Sequence, residues 1–283
     1  MRHALLALLL LTACSSETTA LPDGGLFPAA CFVPGDGGVF LTGLPAPVPG
    51  CAASPGATGV LDLATLGWAK EGGLLVVPPA APGTALPVVF AFHGAGGTGD
   101  EARTRLALEG PVDGGAILVY PNAIQGTWDI TPGSRDGRRV DSLLRLLSRG
   151  YCIDPERIYI AGFSAGAVFT LYLGCNVPGA FHAMASVAGS DRRFDTSCCT
   201  APISGLFIHG TQDEAIPLLE GQAARSNTLH RDGCSSSPVP DGPHCVGYAC
   251  PAPYAVDYCE WGGDHDVPDW AGAEIARFFS LLP

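Results

Sequence analysis

The sequence is poor in charge, and poorest in positive charge. Only 15% of its 283 residues are charged, and 15 lysines and arginines stand against 27 acidic residues, a formal charge of −12. No basic stripe is present that could neutralise a phosphate backbone, which argues against nucleic acid as a partner. The chain has no G-K-[ST] run to cradle phosphates, no CxxC pair and no twelve-residue calcium loop. Neither a metal nor an organic cofactor is therefore implied, and Asp264, Asp266 and Asp269 read as solvated loop carboxylates. There is no fixed-period repeat either, since Asp-Gly-Gly recurs irregularly at Asp23, Asp36 and Asp113 as loop chemistry. No obvious linker breaks the middle of the chain, which favours a single domain of catalytic size. Apolar residues, by contrast, make up 47% of the sequence, enough for a sizeable core and too many for a disordered chain. Gly 38 and Pro 25 are spread among the apolar runs, so a loop-rich globule is expected.

The apolar stretch Ala4 to Leu11 is too short to span a bilayer. Arg2 precedes it and Leu11-Thr12-Ala13-Cys14 follows, the shape of a secretory signal with small residues before the cut. This segment resembles the lipobox of bacterial lipoproteins, which implies lipidation of Cys14 and stable anchoring at a membrane surface. The expected organisation is a signal peptide over 1–13, a tether over 14–30 and a catalytic domain over 31–283. The alternative is an ordinary signal cleaved near Ser16, with Cys14 discarded. Eleven cysteines less Cys14 leave ten, an even number that suits disulfides in an oxidising compartment. Proximity makes Cys31 with Cys51, Cys175 with Cys198 or Cys199, and pairs within Cys234, Cys245, Cys250 and Cys259 the natural choices. A zinc site using His244, Cys245 and Cys250 is the competing reading.

Short runs rich in valine, isoleucine and aromatics at Leu74 to Val77, Val88 to Phe92, Ala116 to Tyr120, Arg157 to Ala161, Ala183 to Ala188 and Leu206 to His209 read as buried strands. Helical patterns lie between several of them. Val140, Leu143, Leu144 and Leu147 complete an i, i+3, i+4, i+7 stripe that should stop at Gly150, and Ala165 to Leu173 and Ala271 to Leu281 read similarly. This alternation predicts an α/β protein with a mostly parallel sheet covered on both faces, and functional loops at the carboxyl ends of the strands. The stretch from Arg231 to Pro253, dense in Cys, Ser, Pro and Gly, reads as a disulfide-tied irregular excursion near the site.

Chemistry concentrates at Gly162-Phe163-Ser164-Ala165-Gly166, a G-x-S-x-G with a strand before it and a helix after. Such a turn is so sharp that only glycine fits at its flanks, and it lifts the serine hydroxyl clear of the sheet. A serine hydroxyl is a weak nucleophile at neutral pH, so a base and an acid that orients it must follow in chain order. Asp213, in the loop after Leu206-Phe207-Ile208, is the expected acid, with Glu214 its rival. His265, in the glycine-rich loop before the last helix, is the expected base. His93 and His209 each precede a glycine at a strand end, where bracing a turn is the simpler role. The developing oxyanion needs two donors. The N–H of Ala165 is one, and the N–H of Ala95 in His93-Gly94-Ala95-Gly96-Gly97 is the other, with Gly94 and Gly96 one residue away.

In combination these motifs resemble the secreted esterases of the α/β-hydrolase fold that include poly(3-hydroxybutyrate) depolymerases, feruloyl esterases and acetylxylan esterases. The resemblance runs from about Leu74 to Leu282. It rests on the His93 loop, Tyr120-Pro121-Asn122, Tyr151-Cys152-Ile153-Asp154-Pro155, the serine elbow, and the HG-x-x-D-x-x-[VI]-P run from His209 to Pro217. The histidine motif departs from the family's G-G-G-H-x-W-P, because Asp264 replaces a glycine and Val267 a tryptophan. Trp128 then becomes a candidate to line the acyl pocket, with a purely structural tryptophan as the alternative.

The resulting expectation is a secreted, lipid-anchored serine esterase of the α/β-hydrolase fold with disulfide-stapled loops. It would act without a cofactor on feruloyl, acetyl or hydroxyalkanoate esters, polymeric ones included. The competing readings are a serine peptidase of the same fold and a non-catalytic surface-binding lipoprotein.

Overall fold

The computed structural model describes residues 57–66, 71–81, 83–177, 179–197 and 199–283. The expected signal peptide and tether, Cys14 and the expected Cys31–Cys51 pairing fall outside the described residues, as does Cys198.

Ten strands and six helices follow one another in the order β1 (Gly59–Asp62), β2 (Gly73–Val77), β3 (Leu86–Phe92), α1 (Gly99–Leu106), α2 (Glu109–Val112), β4 (Ile117–Pro121), α3 (Arg135–Gly150), β5 (Ile153–Phe163), α4 (Ala165–Asn176), β6 (Ala183–Val187), β7 (Ser204–Gly210), α5 (Leu218–Arg231), β8 (Pro238–Asp241), β9 (Cys245–Tyr248), β10 (Val256–Trp261) and α6 (Ala271–Leu281). They build one sheet with the order β1-β2-β4-β3-β5-β6-β7-β10-β9-β8. The block from β4 to β10 is parallel, and antiparallel strands flank it on both sides. Strand order reverses between β3 and β5, so the loops after these two strands diverge and leave a crevice at the carboxyl end of the sheet.

Alternation along β3 divides the core. Val88, Phe90 and Phe92 face a layer containing residues of α3, α4 and α5, whereas Val89 and Ala91 face residues of α1 and α6. The stripe Val140, Leu143, Leu144 and Leu147 is the buried face of α3, and Ser134 caps that helix by accepting the Gly137 N–H at 2.9 Å. In α4 the residues from Gly166 to Cys175 are all buried, so this helix sits in the core instead of lying on it.

The six strands expected from the apolar runs are present. The stretch from Arg231 to Pro253 is not irregular, however: β8 and β9 form a hairpin that extends the sheet beside β10. Three disulfides are described: Cys175–Cys199, Cys234–Cys250 and Cys245–Cys259. Cys245 and Cys250 are thus committed to different disulfides, which removes the thiolates that a zinc site there would need. Cys152 is also disulfide-bonded.

Candidate active site

The turn between β5 and α4 decides where the nucleophile stands. Ser164 has φ 56° and ψ −119°, a conformation costly for a residue with a side chain, at roughly 1–3 kcal/mol. The surroundings hold it there. Its N–H donates to the Val187 carbonyl at 3.0 Å, and its carbonyl accepts the Val168 N–H at 3.0 Å. A Cβ on Gly162 would overlap the backbone of Gly166, and one on Gly166 would overlap the carbonyls of Phe92 and His93. The two glycines therefore let α4 start against the end of β3, with the serine hydroxyl at the crest of the turn.

Asp213 and His265 reach Ser164 from the other half of the sheet. Asp213 follows β7, His265 follows β10, and these strands are parallel neighbours with His209 opposite Glu260 and Gly210 opposite Trp261. The two loops are joined beyond the strands. Thr211 N–H donates to Trp261 O at 2.8 Å, Gln212 N–H to Gly263 O at 2.9 Å, and the Gln212 amide to Gly262 O at 2.8 Å.

His265 bridges the other two side chains, with Nδ1 2.7 Å from Asp213 Oδ2 and Nε2 2.8 Å from Ser164 Oγ. A carboxylate can only accept, so the proton sits on Nδ1 and Nε2 is left to accept from the serine hydroxyl. Asp213 is 6% exposed, and its Oδ1 accepts the Ala215 and Ile216 N–H groups at 2.9 and 2.8 Å. Its rival Glu214 is exposed on the same loop. His209 does not compete for the base role. Its buried ring donates from Nε2 to the Ile216 carbonyl at 2.8 Å and closes the loop that carries Asp213.

The loop after β3 lies against the nucleophile, with a Cβ position on Gly94 3.5 Å from Ser164 Cβ. Gly96 N–H is engaged by Gly126 O at 2.6 Å, and Gly97 N–H by Gly94 O at 3.1 Å. Gly96 is thereby removed as an oxyanion donor. The Ala95 N–H has no backbone acceptor among the described residues, and Ala165 opens α4, whose first N–H groups have no partner within the helix.

His93 braces this turn as expected, and residues that sequence reasoning missed hold the rest of the loop in place. Buried His93 donates from Nδ1 to Gly94 O at 2.7 Å and accepts the Ala123 N–H on Nε2 at 3.1 Å. Both bonds require the neutral ring, and burial holds its pKa below the ordinary value. Asn122 accepts the Gly99 N–H at 2.6 Å, and buried Asp136 accepts the N–H groups of Ile124 and Asp129. The visible signal was Tyr120-Pro121-Asn122, but nothing local says what Asn122 touches.

Trp128 requires a correction. It is 5% exposed, stacks on Phe169 with ring centroids 4.9 Å apart, and donates from Nε1 to the His93 carbonyl at 2.8 Å. Its ring is enclosed by Phe92, His93 and Phe169, so it packs behind the loop after β3, which matches the structural alternative and not a place on an exposed pocket wall.

A strained serine at a strand-to-helix elbow, with a histidine and an acid delivered from later strands of the same parallel sheet, is the arrangement that the α/β-hydrolase fold presents. Comparison with known proteins agrees. A phospholipase/carboxylesterase family model matches residues 139–245. A probable feruloyl esterase C of Aspergillus niger is 26% identical over 213 residues, covering 69% of this chain and 74% of that protein. A bifunctional acetylxylan esterase/xylanase of Neocallimastix patriciarum is 27% identical over 153 residues, 53% of this chain and 22% of its own. Among solved structures, the acetyl xylan esterase of Aspergillus awamori superposes with a TM-score of 0.63 at 15% identity, over 78% of this chain and 99% of the other. The chain has the α/β-hydrolase fold and is similar in sequence to feruloyl and acetylxylan esterases.

Proposed function

We propose that this protein is an exported serine esterase, anchored to a bacterial membrane through lipidated Cys14, that cleaves feruloyl, acetyl or hydroxyalkanoate esters, polymeric ones included. The observation that carries the reading is the continuous hydrogen-bonded line from Ser164 Oγ through His265 to Asp213, with bonds of 2.8 and 2.7 Å.

In the first half-reaction Ser164 Oγ attacks the ester carbonyl carbon as its proton passes to His265 Nε2. Asp213 fixes the Nδ1-protonated tautomer and balances the imidazolium that forms. The carbonyl oxygen becomes an oxyanion held by the Ala165 and Ala95 N–H groups. The imidazolium then returns its proton to the departing alcohol, which leaves an acyl-serine. Water, deprotonated by the same nitrogen, releases the acid. The disulfides among the described residues support an oxidising, extracytoplasmic setting.

A fluorophosphonate probe with a panel of aryl acetates, feruloyl esters and hydroxybutyrate oligomers tests this. The wild type should be labelled and should turn over at least one ester class, whereas Ser164→Ala should do neither. A folded wild type that is neither labelled nor active on the panel would overturn the proposal.

A further inference from the structure

His265 is 24% exposed in its side chain and stands on a loop that begins with Gly262-Gly263. Its hydrogen bonds to Asp213 and Ser164 restrain the ring, but the backbone that follows needs an anchor of its own. The structure supplies one from a helix 161 positions earlier in the chain. Arg105, near the end of α1, donates from Nη1 to Asp266 Oδ1 at 2.7 Å. The same oxygen accepts the Val267 N–H at 2.8 Å, so one carboxylate fixes both the turn immediately after His265 and its tie to α1.

Arg105 is itself held on two further sides. Its Nε donates to Glu101 Oε1 one helical turn earlier at 2.9 Å, and its guanidinium lies 5.2 Å from the centroid of the Phe163 ring. The Phe163 ring in turn packs on the His265 imidazole, with centroids 5.1 Å apart. Phe163 immediately precedes the nucleophile. Guanidinium, phenyl ring and imidazole thus form a column whose far end is closed by the Arg105–Asp266 pair. At its other end α1 follows directly on the oxyanion loop and is fixed through Gly99 to Asn122. The pair therefore links the helix that follows the Ala95 loop to the loop that carries the base.

We infer that Arg105 and Asp266 are positioning residues that hold His265 in register with Ser164, an inference that rests on the reading of Ser164, Asp213 and His265 as the reacting residues. Neither side chain takes part in proton transfer. Their effect falls on kcat, because a loosened imidazole spends less time aligned with the serine hydroxyl, and not on the binding of a small ester.

The test uses p-nitrophenyl acetate kinetics, the rate of fluorophosphonate labelling, and the melting temperature of the full chain. The variants are Arg105→Gln, Asp266→Asn, the double Arg105→Gln/Asp266→Asn, and Arg105→Lys. Each neutral single variant should lose about two- to fivefold in kcat, the rate equivalent of one exposed ion pair, with KM within about twofold of wild type. Labelling should slow by the same factor. The double variant should be no slower than the worse single, because the pair acts as one unit, and Arg105→Lys should recover most of the rate. Single variants at wild-type rates, losses that multiply in the double, or losses that track a fall in melting temperature without rescue by lysine would each overturn the inference while leaving the esterase reading intact. A wild type that is neither labelled nor active would overturn both.

Discussion

Trp128→Phe separates bracing from substrate contact. The replacement keeps an aromatic ring against Phe169, where the native rings are 4.9 Å apart and 10° from parallel. It removes the Nε1–H that satisfies the His93 carbonyl at 2.8 Å. A buried carbonyl left without its donor costs roughly 1–3 kcal/mol, and the smaller ring leaves a gap that adds to this, so a loss of about 2–3 kcal/mol is expected. In a domain of this size that lowers the melting temperature by about 4–10 °C. The catalytic effect has a ceiling. Complete loss of one oxyanion donor costs about 10²–10³ in rate, and here the donor is displaced instead of deleted, because His93 keeps its bonds to Gly94 O and the Ala123 N–H. About a tenfold fall in kcat follows. It should be the same for acetyl, butyryl and feruloyl aryl esters, since a displaced amide acts on an oxyanion common to all three. Steady-state kinetics on that series, with thermal melts, is the assay. A variant that keeps its kcat on acetate and changes its preference among acyl groups would refute the brace and return Trp128 to the pocket wall.

Gly166→Ala should drop kcat by at least about 100-fold and lower the melting temperature, because its methyl would overlap the Phe92 and His93 carbonyls and push α4 off β3. Gly150→Ala, with no atom within 4 Å of the new methyl, is the neutral control, and equal behaviour of the two variants would sink the close-approach argument. At the far end of the fold, burial, reinforced by Asp241, pushes Asp257 up from the ordinary 3.8 to about 7. The folded state therefore keeps a proton that the unfolded chain has released across that window, and stability declines as pH climbs through it, with the full penalty present above it. Asp257→Asn retains an acceptor for Arg277 and should stabilise the protein by about 2 kcal/mol at pH 8 while changing little near pH 4. Denaturant melts at both values check this, and an identical shift at each would contradict it.

The core strands were legible because β3, β4, β6 and β7 are largely apolar runs, as strands covered on both faces tend to be. β10 escaped notice because Asp257 and Glu260 interrupt its apolar pattern, although Asp257 is buried beside Arg277. β8 was hidden by Pro238 and Pro240, residues that normally argue against a strand and are tolerated here at the sheet edge. α5 carries Gly221 at a position where any Cβ would strike the His209 ring, so tertiary packing had overridden helix propensity. Ser164, Asp213 and His265 could be singled out because the chemistry demands a fixed order of residue types behind an elbow that only certain glycines permit. The partners of His93, Asn122 and Trp128 could not, because each is defined by contacts across 23 to 35 positions that no local pattern encodes.

The hydroxyl and the imidazole that meet at 2.8 Å are separated by 101 positions, and the acid and the imidazole by 52. No helix or hairpin assembles them on its own. A slip of a single residue between β7 and β10 would translate one loop by about 3.3 Å relative to the other, further than the length of the bond it must make. Hydrolytic output is thus an all-or-none gauge of the finished sheet. During renaturation, turnover should trail the return of ellipticity, and a chain with native helix content but one misaligned strand should remain catalytically silent.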